Sequence, residues 1–243
     1  MLTVSGLTVE YPDGGRGVAG VSFSITDGES VALVGGNGAG KTTLLLALAG
    51  VLAVKAGTAA VNGLSYSHKD RAEYRRLIGL VFQNPDDMLF MPRVLDDIMF
   101  GPRNLGMTER DARCRADEVM DELGISHLAY RSPMKLSGGE KRMAGLAAVL
   151  AMRPSVLLLD EPTAFLDPRA RRALIRALAR LPQSKLIATH DLAFAGGLCG
   201  RALLLSDGRL RADGSCAELF GDGSLMDECG LEAVPHTNGE VSL

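Results

Sequence analysis

The sequence lacks the features that mark secreted, zinc-binding or membrane-spanning proteins. Its four cysteines are scattered, with no C-x-x-C pair, so disulfides and a zinc site are disfavoured and a reducing cytosol is expected. The most apolar segment, residues 44–54, has 11 residues, whereas a helix that spans a bilayer needs about 20. The start, Met1-Leu-Thr, has no basic stretch before a long apolar run, so we expect no signal peptide. A soluble protein is expected, and any membrane role would depend on a partner.

Charge and length set two further limits. The 26 basic and 29 acidic residues give a net charge of −3, so no basic field favours binding to nucleic acid. With 243 residues, 47% of them hydrophobic, the chain can bury a full core as one α/β domain with a smaller appended lobe.

A glycine-rich segment after the apolar run 31–34 carries the strongest motif. Gly35, Gly40, Lys41 and Thr42 fit the phosphate-binding pattern G-x-x-x-x-G-K-[ST]. In such a loop backbone N–H groups turn toward the phosphates, and the following helix directs its positive end at them. Lys41 would reach the β- and γ-phosphates, and Thr42 would help to hold Mg²⁺. A strand-turn-helix that matches by chance is the alternative. The expected nucleotide-binding residues are Gly35, Gly36, Asn37, Gly38, Ala39, Gly40, Lys41, Thr42 and Thr43.

Two acids end the apolar run 156–159. A carboxylate at the tip of a buried strand is unfavourable unless positive charge meets it. Mg²⁺ near Thr42 would supply that charge, with Asp160 as a metal-side ligand. Glu161 would face the γ-phosphate and orient or deprotonate the attacking water. A pair of acids that caps a helix is the alternative.

The segment Leu136-Ser-Gly-Gly-Glu140 predicts a second anion site. Ser137 is a helix cap, and Gly138 and Gly139 leave N–H groups bare. Because one phosphate-binding loop already surrounds its own nucleotide, this site implies a nucleotide offered by another subunit. A flexible turn with a helix cap is the alternative.

The order of strand and helix patterns predicts an α/β fold with a largely parallel sheet. The pattern predicts strands at 2–10, 18–25, 57–63, 77–83, 156–159 and 185–188, helices at 108–124, 138–151 and 167–181, and a hairpin at 201–211 closed by Ser206-Asp-Gly-Arg209. Residues 12–15 predict a turn. We expect one domain: a core at 1–83 and 155–220 with an N-terminal antiparallel β-subdomain, a helical insert at about 84–152, and a loose tail at 221–243.

Together these motifs resemble the ATP-binding-cassette (ABC) ATPases over nearly the whole chain. Residues 35–42 resemble the Walker A motif, 136–140 the signature, 156–161 Walker B with its catalytic glutamate, and 164–167 the D-loop with Asp167. Phe165 departs from the smaller residue usual in the D-loop, which affects its fine geometry. The resemblance implies the fold of a P-loop NTPase with an inserted helical subdomain, and ATP and Mg²⁺ as cofactors.

The resemblance assigns roles that spacing alone does not. Tyr11 resembles the aromatic residue that stacks on adenine, Gln83 the glutamine that links the γ-phosphate to the helical insert, and His190 the switch histidine. From the sequence pattern alone, the three residues would be a tyrosine in a turn, a glutamine at the end of a strand and a histidine with a structural role. The family pattern implies Glu161, His190, Lys41 and Gln83 as catalytic residues. It implies Thr42, Gln83 and Asp160 as Mg²⁺ ligands.

A narrower resemblance concerns residues 79–90 and 96–106, which are similar to energy-coupling-factor ATPases, importers of metal ions and vitamins. Residues 186–191, 230–234 and the short polar tail are most similar to the cobalt/nickel branch. This implies an ATP-hydrolysing subunit at the cytoplasmic face of the cell membrane. Its partners would be an identical or paralogous ATPase subunit, a transmembrane coupling subunit and a substrate-binding membrane subunit, with no nucleic acid.

Three alternatives stay open: an energy-coupling-factor ATPase for a vitamin, a soluble ABC ATPase without a transport role, and a nucleotide sensor. The sensor is disfavoured because Glu161 and His190 are both present, and the soluble class because one P-loop and no sustained heptads are found.

Seven large apolar residues after Gln83 predict a coupling surface on the helical insert. About half of them would fill the insert's own core, and the rest would form an exposed groove for a helix of a membrane partner. They are Met88, Leu89, Phe90, Met91, Ile98, Met99 and Phe100.

Overall fold

We describe a computed structural model of the chain, which covers residues 1–11, 15–67 and 69–232 and leaves the side chain of Arg16 undescribed. The chain divides into two compact units. The first comprises Met1–Ile78, Ser155–Glu161 and Pro182–Leu243, and the second comprises Gly79–Pro154 and Pro162–Leu181. The predicted turn at 12–15 falls largely outside the described residues. Residues 162–181, predicted as part of the core, group with the second unit.

In its described residues, the first unit contains two sheets and five helices. Its strands are β1 (Leu2–Glu10), β2 (Arg16–Ile25), β3 (Ser30–Val34), β4 (Ala56–Val61), β5 (Leu64–Ser65), β7 (Val156–Asp160), β8 (Ser184–Ala188), β9 (Arg201–Ser206) and β10 (Arg209–Ser215). Its helices are α1 (Lys41–Leu48), α2 (Arg71–Arg76), α7 (Leu192–Leu198), α8 (Cys216–Gly221) and α9 (Gly223–Glu228). Strand β6 (Ile78–Val81) begins in this unit and ends in the second.

One sheet is antiparallel, in the order β2-β1-β4-β5, and the other has the order β10-β9-β3-β8-β7 within the first unit. In the second sheet β3 is parallel to both β8 and β9, β7 is parallel to β8, and β10 is antiparallel to β9. The predicted fold class is therefore confirmed.

Burial explains why these segments form different sheets. All five residues of β7 and of β8 are buried, and β3 is buried from its second residue, as in parallel strands covered on both faces. Strand β1 alternates between buried and exposed residues, as in a sheet with one solvated face. Parallel pairing of β3, β8 and β7 brings the residues after their carboxyl ends to the same sheet edge.

Two glycine-containing hairpin turns are present, and the second of them was predicted above. Asn62 and Gly63 between β4 and β5 have φ of 51° and 81°, and Asp207 and Gly208 between β9 and β10 have φ of 50° and 70°. Two consecutive left-handed residues are what a two-residue hairpin turn requires. The second turn closes the predicted hairpin, which lies at the edge of the parallel sheet.

The second unit is helical. Its helices are α3 (Val94–Asn104), α4 (Glu109–Glu122), α5 (Gly138–Ala151) and α6 (Pro168–Arg180). Short 3₁₀ turns lie at Pro85–Asp87, Ser126–Leu128 and Pro133–Lys135. Thr108 caps α4 by accepting from the Asp111 N–H at 3.2 Å, and Gly124 (φ 70°) follows its last turn, as predicted. In residues 1–11, 15–67 and 69–232 no helix is long and apolar enough to cross a membrane.

Two predictions differ from the structure. The strand predicted at 77–83 ends at Val81, because the carbonyls of Phe82 and Gln83 accept hydrogen bonds from the Arg142 guanidinium, each at 2.6 Å. The tail is not loose over 222–232. Helix α9 forms there, and its Met226 is fully buried; residues 233–243 lie outside the described part.

Candidate functional site

The loop between β3 and α1 has the geometry of a phosphate site. Gly40 precedes α1 with φ of 101° and provides no side-chain cap, so the first N–H groups of α1 keep their capacity to bind an anion. The Lys41 ammonium folds back and donates to the carbonyls of Gly35 at 2.7 Å and Gly36 at 3.1 Å. Burial lowers the pKa of Lys41, and the nearby carboxylates Glu161 and Asp160 oppose this effect.

The glycines of the loop are needed for two separate reasons. A Cβ at Gly35 would lie 2.2 Å from the Leu205 carbonyl oxygen, and one at Gly40 would lie 2.5 Å from that of Gly17. Other backbone segments therefore press against the outer side of the loop. At Gly38 the reason is conformational: its φ is 79°, and nothing lies within 4 Å of a Cβ placed there.

Asp160, at the end of β7, contacts the start of α1. The Thr42 hydroxyl donates to its Oδ2 at 2.7 Å, and only 5% of Asp160 is exposed. A hydroxyl and a carboxylate are hard oxygen ligands of the kind Mg²⁺ prefers. No group of three or more His, Cys, Asp or Glu in the described residues could hold a metal by itself. The pair therefore fits Mg²⁺ that brings phosphate and water ligands with it.

Glu161 is held in a strained turn after Asp160. Its φ is 42°, its N–H donates to the Ala188 carbonyl at 2.8 Å, and its exposed fraction is 8%. The Thr189 hydroxyl donates to one carboxylate oxygen at 3.1 Å. The other oxygen accepts from the His190 N–H at 3.1 Å and lies 2.8 Å from His190 Nδ1. Left-handed residues of this kind occur at functional sites, where the surroundings hold them in place.

Tyr11 lies beside the same helix start. Its hydroxyl is 2.7 Å from Thr43 Oγ1, and its side chain keeps contact with solvent, with 38% of the residue exposed. The ring lies close to the backbone of Gly17, where an added Cβ would be 3.3 Å from a ring carbon. An exposed ring fixed by its hydroxyl can offer a face to a base, and the adenine contact stays a prediction.

The signature segment forms a complete capping box in the second unit. Ser137 Oγ accepts from the Glu140 N–H at 3.3 Å, and the Glu140 carboxylate accepts from the Ser137 N–H at 2.7 Å and its hydroxyl at 2.9 Å. The Ser137 backbone N–H, then its hydroxyl, and the charge of Arg131 lower the pKa of Glu140. The N–H groups of Gly138 and Gly139 lie between these two capped positions and remain available to bind an anion. Leu136 is buried just before the cap.

The two signature glycines differ in their surroundings. A Cβ on Gly139 would lie 2.5 Å from that of Ala170, whereas nothing lies within 4 Å of one on Gly138. Asp167 caps α6 by accepting from the N–H groups of Arg169 and Ala170. Phe165, the departure from the D-loop pattern, is 94% exposed and has φ of 61°.

Gln83 is exposed, and its backbone is tied to the signature helix. Arg142 lies on α5, two residues after Glu140, with 2% of its surface exposed. Its guanidinium donates to the carbonyls of Phe82 and Gln83, so one buried side chain links α5 to the backbone of the glutamine. The role of the Gln83 side chain toward Mg²⁺ and phosphate stays a prediction.

The seven apolar residues after Gln83 differ in burial, and Met88 and Met91 are half-buried. Leu89, Ile98 and Met99 are buried, whereas Phe90 is 63% and Phe100 38% exposed. The two phenylalanine rings meet edge to face, with centroids 5.0 Å apart. Asp97 shapes this segment because its Oδ1 accepts from the N–H groups of Phe90 at 2.9 Å and Met91 at 3.0 Å. Its burial raises the pKa of that carboxyl group.

Sequence reasoning missed Thr189 and Arg142. Thr189 is fully buried and contacts the predicted catalytic carboxylate, and its only signal was its position before His190. Arg142 had no local signal, because a basic residue inside a helix is ordinary.

The fold and the loop define a P-loop protein with a buried acid pair beside the loop. The family model for ABC transporters matches residues 18–164. The chain therefore belongs to the ABC transporter family, and it is an ABC ATPase.

Three curated relatives cover nearly all of the chain. An ABC transporter ATP-binding protein of Streptomyces avermitilis is 47% identical and matches 95% of this chain and 88% of its own. The cobalt import ATP-binding protein CbiO of Rhodobacter capsulatus is 41% identical, covering 95% and 84%. The energy-coupling factor transporter ATP-binding protein EcfA of Methanothermobacter thermautotrophicus is 39% identical, covering 98% and 78%.

A solved structure agrees with the fold. CbiO1 of Clostridium perfringens, described as part of the ABC transporter complex CbiONQ, has a TM-score of 0.82 and is 35% identical over 93% of both chains.

Proposed function

We propose that the protein hydrolyses ATP as one of two ATPase subunits that power a membrane importer of the energy-coupling-factor type. The proposal of ATP hydrolysis rests on the buried Glu161 carboxylate. It is held by Thr189 and His190 at the sheet edge that also presents the phosphate loop.

Hydrolysis follows from the positions of these side chains. The Lys41 ammonium, now on carbonyls of its own loop, would move to the β- and γ-phosphates, where its charge opposes the growing negative charge. Glu161 would accept a hydrogen bond from the attacking water and align it with the γ-phosphate. Because His190 contacts Glu161 and leaves 65% of its side chain exposed, it can link the carboxylate to the γ-phosphate.

Thr42 and Asp160 would hold Mg²⁺, with Gln83 as a third oxygen ligand. Bound there, Mg²⁺ would neutralise charge on the β- and γ-phosphate oxygens. The two protein oxygens already meet across β7 and α1, which supports this assignment.

A second copy, or a paralogous subunit, would complete the site. Each ATP would lie between the loop of one subunit and Leu136–Glu140 of the other, in a two-fold head-to-tail pair. The exposed start of α5, with two glycine N–H groups left open, supports this arrangement.

Names of relatives support the transport role. CbiO of Rhodobacter capsulatus is named for cobalt import, and the related solved chain is described as part of the complex CbiONQ. We propose cobalt or nickel as the transported ion and a vitamin as the second candidate, since EcfA carries a general transporter name. The subunit would then lie peripherally at the cytoplasmic face of the membrane, bound to a transmembrane coupling subunit and a substrate-binding subunit.

The exposed pair Phe90 and Phe100 would contact the coupling subunit. Phe100 lies on α3 and Phe90 in the loop before it, and two exposed aromatic side chains in contact suit a groove that receives an amphipathic helix. Arg142 connects the loop that leads into this pair with α5, so ATP binding at α5 would move the coupling surface.

The catalytic assignment is tested with Glu161→Gln. The variant should bind ATP with wild-type affinity and lose about 10²–10⁴ in turnover, because the attacking water loses its base. Phosphate release and size-exclusion chromatography with ATP measure both quantities, and an ATP-stabilised dimer is expected. Glu10→Gln, at an exposed ion pair with Lys55, is the control. Near-normal hydrolysis by Glu161→Gln contradicts the assignment.

The transport assignment is tested by copurification from detergent-solubilised membranes. Tagged wild-type protein should bring hydrophobic membrane subunits with it, whereas a soluble ABC ATPase or a sensor should not. Phe90→Ser should reduce recovery of those subunits and keep the ATPase activity of the isolated protein. Val51→Ser, at another exposed apolar residue, is the matched control. Equal recovery with Phe90→Ser places the coupling surface elsewhere.

A further inference from the structure

The outer side of the phosphate-binding loop is held by a segment near the end of the described chain. The Gly36 N–H donates to the carbonyl oxygen of Cys229 at 3.0 Å. A Cβ on Gly36 would lie 3.0 Å from that same oxygen and 3.6 Å from the carbonyl oxygen of Gly230. The two backbones are therefore in direct contact, and a side chain at position 36 would press against the Cys229 oxygen.

One peptide plane carries both this contact and the contact to the lysine. The plane between Gly35 and Gly36 directs its N–H to Cys229, and its carbonyl accepts from the Lys41 ammonium at 2.7 Å. Because a trans peptide unit is planar, fixing the N–H also fixes the direction of the carbonyl. Cys229 therefore acts on Lys41 through one rigid unit.

The segment that carries Cys229 is itself fixed. Helix α9 is anchored by the fully buried Met226, whose carbonyl accepts from the N–H groups of Cys229 at 3.0 Å and Leu231 at 2.9 Å. Gly230 adopts φ of 67° in this helix end, a left-handed cap typical of glycine. The carbonyl of Cys229 thus has a defined direction.

We propose that residues 223–231, the C-terminal clasp, position the phosphate-binding loop and thereby set its affinity for ATP. The inference rests on the proposed function, because it concerns the site that binds the phosphates. A loop held in its binding geometry loses less conformational entropy when ATP arrives. Cys229 is a positioning residue, and it acts through its backbone carbonyl.

Two glycine variants disturb the contact from opposite sides. Gly230→Ala puts an alanine in a left-handed conformation and displaces the cap, whereas Gly36→Ala pushes a methyl group against the Cys229 oxygen. Each should weaken binding of N-methylanthraniloyl-ATP about three- to tenfold, since a left-handed alanine or a tight contact has an effect of that order. For Gly230→Ala, which lies outside the phosphate-binding loop, the KM for ATP should rise in the same proportion while kcat stays within about twofold of wild type.

The matched control is Gly124→Ala. Gly124 also ends a helix with φ of 70° and has nothing within 4 Å of an added Cβ, but it lies in the second unit. It should lower the melting temperature as Gly230→Ala does and leave the affinity for the nucleotide unchanged. In the double variant Gly36→Ala/Gly230→Ala the loss of affinity should be smaller than the product of the two single losses, because both substitutions act through one contact.

Two results would contradict the proposed role of the C-terminal clasp. One is wild-type affinity in both single variants, with the wild-type protein binding nucleotide normally. The other is a Gly36 amide that exchanges its hydrogen as fast as an open loop in the wild-type chain, which needs no variant to fold. Failure of the wild-type chain to bind the nucleotide at all would refute the proposed function as well.

Discussion

The starts of α1 and α5 are two helix N-termini that contain glycine, Gly40 as the residue before α1 and Gly138 as the first residue of α5, yet their surroundings differ. Gly40 gives α1 no side-chain cap, and a buried lysine and an acid pair lie beside that start. At α5 Ser137 and Glu140 form a full capping box, and Ser137 is exposed.

This difference indicates which start binds a nucleotide alone. The α1 site brings together the Lys41 ammonium, the Thr42 and Asp160 oxygens and the Glu161 carboxylate within one unit, and under the proposed function it would hold ATP in a monomer. The α5 site offers only two glycine N–H groups and a hydroxyl already engaged by Glu140. Such a site adds affinity when a second molecule brings the phosphate to it.

The largest expected effect separates the two starts directly. Lys41→Ala should weaken ATP binding to the monomer about a hundredfold or more, because the buried ammonium is the positive side chain that contacts the loop. Ser137→Arg should leave monomer binding within about twofold and abolish ATP-driven dimerisation and turnover, since the bulky side chain fills the α5 start. Isothermal titration and sedimentation measure binding and dimerisation.

Controls for this pair are Lys55→Ala and Ser126→Arg, both at exposed positions. Neither should change affinity or association. If Ser137→Arg lowers the affinity of the monomer for ATP as much as Lys41→Ala does, the proposal that α1 alone binds ATP in the monomer is contradicted.

A middle-sized effect concerns the two glycines of α5. Gly139→Ala should destabilise the protein by about 1–2 kcal/mol, because its methyl group would overlap Ala170 and the overpacking exceeds the gain in helix propensity. Gly138→Ala should change stability by less than about 0.5 kcal/mol and still reduce ATP-driven dimerisation, because its methyl group enters the open side. Urea unfolding and sedimentation separate the two readouts. Equal destabilisation would show that both glycines serve packing.

Sequence reasoning succeeded where chemistry lies in contiguous residues. The loop at 35–43, the acid pair and the cap at Ser137 were predictable because turn geometry and anion binding constrain neighbouring positions. The tail was not predictable: residues 222–232 look polar, yet two buried side chains, Met226 and Cys229, anchor them. Contacts such as Gly36 with Cys229 join positions far apart in the sequence, and one sequence contains no signal for them. Likewise, one sequence has no signal for the contact between Arg142 and the carbonyls that follow β6, which ends this strand at Val81.

The smallest expected effect concerns the charge inside the α5 capping box. The Ser137 N–H and hydroxyl, together with Arg131, lower the pKa of Glu140. A carboxyl group whose folded-state pKa lies below its unfolded value stabilises the fold above the unfolded pKa, and that stabilisation is lost as pH falls through the folded pKa.

Glu140→Gln keeps the shape of the box and removes the charge. At pH 7 it should lower the free energy of unfolding by less than about 1 kcal/mol, because the carboxylate is partly exposed. The difference from wild type should shrink as the pH falls below the ordinary glutamate pKa and vanish once both forms are neutral. Urea unfolding from pH 7 to pH 3 measures it, with Glu122→Gln at an exposed position of α4 as the control. A difference that stays constant with pH would mean that the box acts through hydrogen bonds alone, and that the start of α5 gains nothing from the carboxylate charge.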